Sequence, residues 1–231
     1  MNLELDDSEH AFYDEAYSWL AENTPTGVYA PPGTPEAVAR SRDWDRRLFE
    51  GGWSVLTWPA EYGGRDASVI EWILFEDAYH ALNGPYRLSQ NGISLLAPAV
   101  MEVGTPAQKE QILLPMARGD VIWAQAWSEP ESGSDLASLT SRADPVPGGF
   151  RLNGRKIWSS HAPSADWAFG LFRTGPQADR HRGLTYLLFP LSSPGITISP
   201  IRRIDGHASF AEIQFDNVFV PEDQVLGDVG R

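Results

Sequence analysis

The stretch Val121-Ile122-Trp123-Ala124-Gln125-Ala126-Trp127-Ser128-Glu129-Pro130-Glu131-Ser132-Gly133-Ser134-Asp135 separates two kinds of pattern in the chain. Through Trp123, Gln125 and Trp127 the large side chains recur at every second residue, the period of a strand with unlike faces. The run then breaks into Pro130, Ser132, Gly133 and Ser134, residues that punctuate turns. On its N-terminal side the apolar period is that of a helix, and on its C-terminal side it is that of a strand.

Upstream, Asp6 with Glu9 three residues on predicts a helix start, and Phe12, Ala16, Trp19 and Leu20 then share one face until Pro25. Thr34-Pro35 reads as N-cap and first helical position of a second helix, closed by Gly51-Gly52. Ser68 with Glu71 is a capping box ahead of Ile70, Ile73, Leu74 and Ala78. A further apolar helix is expected from about Asn91 to Val103, stopping at Gly104. Thr105-Pro106 with Gln108 starts another, which Pro115 and Gly119 bring to an end.

Downstream, Asn153-Gly154 lies between Phe150–Leu152 and Lys156–Trp158 and predicts a two-residue hairpin turn. Trp167–Phe172 and Leu184–Pro190 are strand-like runs, and Phe210, Glu212 and Gln214 alternate with Ala211, Ile213 and Phe215. The expected fold class is α+β: an all-α N-terminal domain over residues 1–120, then an antiparallel β-sandwich or barrel over 121–231. The change near residue 120 is one of period, with no low-complexity tether, so the two parts are expected to pack closely.

Bulk properties exclude several classes. The chain has 231 residues and a net charge of −13, so it carries no basic footprint for nucleic acid. With no cysteine, thiolate metal sites, disulfides and cysteine nucleophiles are ruled out. No apolar run is long enough to span a membrane, the acidic N-terminus does not read as a signal peptide, and a cytoplasmic location is expected. No metal site is expected.

Three short segments carry the functional signal: Trp58-Pro59-Ala60-Glu61-Tyr62-Gly63-Gly64, Ser128-Glu129-Pro130-Glu131-Ser132-Gly133-Ser134-Asp135, and Asn153-Gly154-Arg155-Lys156-Ile157-Trp158-Ser159-Ser160. Singly, each has a structural explanation as a packed loop, a plain turn or a core aromatic. Ser128, Gly133, Ser134, Trp158 and Ser160 are also the residue types a flavin requires. The ring needs donors along its N1–C2=O and N5 edges, because negative charge accumulates there as hydride arrives. An aromatic wall suits the ring face, and backbone N–H groups in a Gly/Ser turn suit a pyrophosphate.

In this order and spacing the three segments, together with Phe215-Asp216-Asn217-Val218-Phe219-Val220-Pro221 and Val225-Leu226-Gly227, resemble the acyl-CoA dehydrogenase family over essentially the whole chain. The resemblance implies an FAD-dependent oxidoreductase that desaturates an acyl-CoA thioester, passing electrons to an electron-transfer flavoprotein or similar acceptor. It further implies a homo- or hetero-oligomer of like subunits. It places Gln125, Trp127 and Ser128 at the pyrimidine side of the ring, and Gly133 and Ser134 beside the pyrophosphate and the CoA-bearing end of the substrate. Trp158 flanks the ring and Ser160 offers a donor near N5. Gln125 and Ser128 also resemble the branch of actinobacterial members acting on branched or steroid-derived acyl groups. Strict alternation puts Gln125 and Trp127 on the face opposite Ser128, so either some contacts are made by backbone groups or the strand ends there.

Three departures from the family pattern stand out. Glu131-Ser132 replaces the usual Gly-Ala, adding a carboxylate near an anionic cofactor. Ser160 and His161 stand where threonine and asparagine are common, and His161 is a candidate for substrate binding as well as for packing. No carboxylate of residues 1–231 matches the family's glutamate base. That base, with the family's C-terminal helical bundle, is expected outside this chain or on a partner subunit. A non-catalytic half-site subunit and a flavin monooxygenase or oxidase on the same scaffold are the alternatives.

Overall fold

The computed structural model describes residues 4–27, 30, 31 and 33–230. Met1 and Arg231, which enter the reading of the two ends of the chain, lie outside these residues. The first half is helical: α1 (Asp7–Asn23), α2 (Pro35–Glu50), α3 (Val69–Ala81), α4 (Ala97–Val103) and α5 (Pro106–Ala117). Their starts are written in the sequence. Asp6, Ser68 and Thr105 each close a capping box with Glu9, Glu71 and Gln108, and the Thr34 hydroxyl accepts from the Ala37 N–H. Each box satisfies backbone donors that a helix otherwise leaves orphaned, a contribution of about 1 kcal/mol apiece.

Two helices differ from expectation in detail. The segment before α4 is wound as a π-turn over Gly92–Leu96, so the apolar stretch from Asn91 is a continuous but irregular helix. Helix α5 runs through Pro115 as far as Ala117, and Gly119 with φ 70° then turns the chain.

The second half is one curved sheet of eight strands: β1 (Trp123–Ala126), β2 (Arg142–Val146), β3 (Gly149–Ser160), β4 (Trp167–Arg173), β5 (Leu184–Pro190), β6 (Ile196–Ile201), β7 (Phe210–Pro221) and β8 (Val225–Leu226). The order is β6-β7-β3-β2-β4-β5-β8, with β1 on β4. Most pairings are antiparallel, but β1 runs parallel to β4, and β2 meets β4 in parallel at Arg142 and Arg173. A strand arriving from the helices can join beside β4 in that sense because α5 delivers it from one end.

The expected hairpin at Asn153-Gly154 is not formed. Strand β3 runs straight through it, and the turn between β2 and β3 falls at Pro147-Gly148, where Gly148 adopts φ 79°. Gly154 is needed for a different reason: a Cβ there would lie 2.3 Å from the Ser141 hydroxyl oxygen. Asn153 in turn accepts from the Asn217 N–H at 2.9 Å, where Asn217, at φ 55°, is part of a bulge in β7.

Two buried clusters lie within and around the sheet. One, with Phe150, Leu152, Phe172, Phe189, Ile213 and Phe215, fills the inside of the curved sheet. The other joins the halves of the chain, packing Leu96, Val100, Leu113 and Met116 of the helices against Trp123, Phe169, Leu188 and Leu226 of the strands. Arg42 clamps Asp166 at 2.9 Å across the same boundary, and the Gln108 amide donates to the carbonyls of Asp223 and Val225. The two halves are therefore packed together, as the absence of a tether led us to expect.

Candidate functional site

Strand β1 ends at Ala126, and its last residues are tied to β3 by an inner cation. Lys156 is fully buried, and its ammonium reaches the Glu129 carboxylate at 2.9 Å, the Leu171 carbonyl at 2.7 Å and the Trp127 carbonyl at 3.2 Å. Those bonds use all three of its donors. Glu129 is 5% exposed and also accepts from the Thr140 N–H and hydroxyl and the Ser141 N–H. Burial alone would raise the Glu129 carboxyl, but Lys156 and these donors outweigh it and hold it below its usual range. Burial pushes the Lys156 ammonium down to about 8, with Glu129 opposing the shift. Glu129 is thus a structural anchor, consistent with withholding the role of base from it.

From this anchor the chain makes a tight loop. Glu129 and Ser132 exchange backbone hydrogen bonds of 2.7 and 3.1 Å, so Ser128 and Gly133 emerge side by side. The Ser128 carbonyl accepts from the Ile157 N–H at 2.8 Å, which sets Ser128 against the neighbour of Trp158. A second buried cation fixes the far side of the loop: Arg173, 2% exposed, donates to the carbonyls of Ala137, Leu139 and Arg180.

The orientation of Trp158 comes from a bulge in β3. Between Lys156 and Ser159 the strand carries one residue more than its partner β7. Before the bulge Phe150, Leu152 and Lys156 face inward; after it Ser159 does, and Trp158 stands 57% exposed at φ 60°. A bulky residue held at positive φ is costly, of order 1–3 kcal/mol, and such outliers cluster at functional sites. Among the described aromatic residues, the Trp158 ring meets Phe210 edge-on, centroids 6.1 Å apart.

The remaining candidates are placed as follows. Gly133 and Ser134 are exposed, and a Cβ at Gly133 would touch nothing, so no packing within the chain demands glycine there. Ser128 and Ser160 are half-buried, and neither hydroxyl takes a hydrogen bond among the described residues. Gln125 is half-buried opposite Phe169 in β4. The Trp127 side chain packs on the cluster under the helices, and its indole N–H is buried without a partner, so any ring contact from this residue is left to its backbone. Of the departures, Glu131 is exposed and the Ser132 hydroxyl donates to the Asp135 carbonyl.

Beside Ser160 opens a cavity of about 890 Å³ between the helices and the sheet. Its walls are mainly apolar, with Val38, Pro85, Leu88 and Phe210 among them, and Tyr86, Asn91, Ser160 and His161 supply polar atoms. Asn91 donates to the Ser160 carbonyl at 3.3 Å. Tyr86 and His161 are hydrogen-bonded at 2.6 Å through the phenol oxygen and Nε2, and burial holds the imidazole below its usual value, hence neutral near pH 7. Ser160 alone of the seven candidate flavin contacts lines this cavity; Trp158 adjoins it through Phe210.

The family models settle the membership. Residues 7–120 match the N-terminal domain of acyl-CoA dehydrogenases, and residues 124–218 match their middle domain. The chain belongs to the acyl-CoA dehydrogenase family. Acyl-CoA dehydrogenase IpdE1 of Mycobacterium tuberculosis is 36% identical over 225 residues, which span 95% of this chain and 58% of that protein. Among solved structures, the Tcur3481-Tcur3483 steroid ACAD superposes with a TM-score of 0.85 at 28% identity, over all of this chain and 59% of its own. The ChsE4-ChsE5 complex from Mycobacterium tuberculosis gives 0.85 at 27%, over 100% and 58%. The acyl-CoA dehydrogenase family chain therefore spans a little under 60% of the length of these relatives.

Within that family, the donor set fits a flavin. The exposed Trp158 indole, the uncommitted Ser128 and Ser160 hydroxyls and the exposed Gly133-Ser134 bend are groups of the kind that binding of a planar ring with a phosphate tail requires. Sequence reasoning missed Lys156 and Arg173, which hold the end of β1 and the loop that follows it. Strand parity contained the signal for Lys156: once β3 is read as continuous, position 156 falls on the same face as Phe150 and Leu152.

Proposed function

We propose that this chain forms the flavin-holding part of an FAD-dependent dehydrogenase that introduces an α,β double bond into an acyl-CoA thioester. The observation that carries the reading is the β3 bulge, which turns Trp158 and Ser160 outward beside Ser128 and the open Gly133-Ser134 bend. Bound FAD would supply the hydride acceptor for the β-hydrogen. The chain's own residues do the rest of the local work. Trp158 walls the ring; Ser160 and Ser128 hold donors toward the edges where negative charge develops; Gly133 and Ser134 admit the phosphate chain and the CoA-bearing end of the substrate. Gln125 and the Trp127 backbone border the pyrimidine side. The cavity beside Ser160 receives the acyl group, and its apolar walls exclude water from it.

No carboxylate lines that cavity among the described residues, so the proton acceptor comes from outside residues 1–231. The electron acceptor is an electron-transfer flavoprotein or an equivalent. Of the two superposed proteins, ChsE4-ChsE5 is a complex, and Tcur3481-Tcur3483 is a steroid ACAD that likewise pairs two names. Both support assembly with acyl-CoA dehydrogenase-like subunits, and the steroid ACAD supports a bulky, steroid-derived acyl group as the substrate class.

The test is flavin content. Trp158→Ala removes an exposed ring that the fold does not need, so the purified protein should stay folded but lose most of its FAD. Ser134→Trp should block the bend to the same effect. Full FAD occupancy in both variants would refute the placement.

A further inference from the structure

Besides the uncommitted Ser160 hydroxyl, the cavity lining carries a polar pair whose hydrogen bonding the packing of the chain leaves incomplete. Tyr86, from the loop after α3, and His161, at the end of β3, meet at 2.6 Å on its lining. Their rings lie 5.1 Å apart between centroids. His161 is held in place by its own backbone: it adopts φ 61°, and its N–H donates to the Ser209 carbonyl at 2.8 Å. A non-glycine residue at such an angle is uncommon, and here it sets the imidazole against the phenol.

A count of protons gives the chemistry. A phenol and a neutral imidazole together own two donor hydrogens, one O–H and one N–H. Their mutual hydrogen bond consumes one of them in either tautomer. If the phenol donates to Nε2, the Nδ1–H is left over; if Nε2–H donates to the phenol, the phenolic O–H is left over. Among the described residues no further hydrogen-bond partner is found for either side chain. The pair therefore always presents one spare donor, and what satisfies it is an oxygen acceptor.

The two arginines of the lining already have partners within the chain. Arg203 is paired with Asp205, and Arg40 donates to the Thr26 carbonyl at 3.5 Å. Both guanidiniums are thus engaged within the chain, and the surrounding walls at Val38, Pro85, Leu88 and Phe210 are apolar. Tyr86 is 60% exposed, so water satisfies the spare donor until a ligand does; a neutral donor on the lining of a mainly apolar cavity then favours a neutral oxygen carried on a hydrocarbon frame.

We propose that Tyr86 and His161 form a specificity pair that recognises a keto or hydroxyl oxygen on the distal, alicyclic part of the acyl group. The proposal rests on the cavity's being the acyl pocket, and it adds to that reading what the acyl group carries. It also separates a substrate contact from a mere fastening between the loop after α3 and the sheet, since a fastening is indifferent to the substrate's oxygen.

The test compares 3-cyclohexylpropanoyl-CoA with its ring-keto analogues substituted at ring carbon 3 or 4, using the FAD-loaded full-length protein together with any subunit that co-purifies. The readout is kcat/KM with an artificial electron acceptor. One neutral hydrogen bond to a fixed donor should favour at least one keto analogue by about tenfold. The Tyr86→Phe/His161→Leu double variant should bring that ratio to within about twofold of unity. Equal rates for all three thioesters in the unaltered protein overturn the proposal without any variant, which covers the case of a double variant that does not fold. A ratio that survives the double substitution, with only the melting temperature lowered, overturns it in favour of a fastening. Failure to turn over or bind any acyl-CoA defeats the broader functional reading instead.

Discussion

Replacing Lys156 by Met is the most searching perturbation of this fold. Methionine keeps the length of the stem and fits the same channel, so the change is chemical rather than steric. It deletes a cation whose side chain is fully buried against a carboxylate that is itself 3% exposed, 2.9 Å away. It also leaves the Trp127 and Leu171 carbonyls without their donor. Breaking a buried ion pair from one side costs about 3–5 kcal/mol, mostly because the remaining charge stays buried. The orphaned carbonyls belong to the same network, so their cost is contained in that figure rather than added to it. Urea unfolding should show the unfolding free energy falling by that amount, seen as a lower midpoint at little change in slope. Lys156→Met/Glu129→Leu removes both charges and should recover part of the loss, leaving the unmet Trp127 and Leu171 carbonyls and the Thr140 and Ser141 N–H groups as the residue of it. A single-variant loss below about 1 kcal/mol would refute the claim that this pair anchors the end of β1. FAD affinity should fall alongside stability, because Ser128 is positioned from the same anchor.

Other outcomes follow from single positions. Asp45 is 1% exposed, and burial lifts its carboxyl to about 7, with the Ser89 N–H at 3.0 Å among the groups opposing the rise. Its folded-state value lies above the unfolded one, so its contribution is fully present below about pH 4 and is lost as pH rises through 7. Asp45→Asn should flatten that decline in a series of melting curves, by at most about 4 kcal/mol; an unchanged pH profile would exclude Asp45 as its source. Gly64→Ala places a Cβ 1.9 Å from the Trp58 carbonyl oxygen and should cost about 2–3 kcal/mol in denaturant unfolding. Ser160→Ala should leave unfolding within about 0.5 kcal/mol while slowing flavin reduction by the substrate; equal reduction rates would remove Ser160 from the N5 edge.

Local chemistry in this sequence was more legible than its long-range pairing. Asp6, Thr34, Ser68 and Thr105 declare helix starts because a capping side chain acts within three residues of itself. The strand runs at 123–126, 167–173 and 184–190 were readable from their composition and bounds. Asn153-Gly154 misled for a physical reason: Asn-Gly permits a tight turn, yet the same freedom from a Cβ also serves a close approach, here to Ser141 in β2. Reading it as a turn hid Lys156, whose burial is intelligible only in an unbroken strand. The parallel insertion of β1 beside β4 depends on where α5 releases the chain, which no local pattern encodes. The candidate site was legible through residue types, while the cavity depends on a loop after α3 meeting the end of β3 across 75 residues.

The extra residue in β3 acts as a switch of sidedness. Were the strand unbulged, strict alternation from Leu152 through Lys156 would carry position 158 to the inner face as well, and the indole now offered to a ligand would be driven into the interior of the sheet. A water-shielded cation and a solvent-facing aromatic can stand two positions apart on one strand only because the count between them is offset by one. The spacing of that strand, as much as the identity of its tryptophan, therefore decides whether a binding face exists at all.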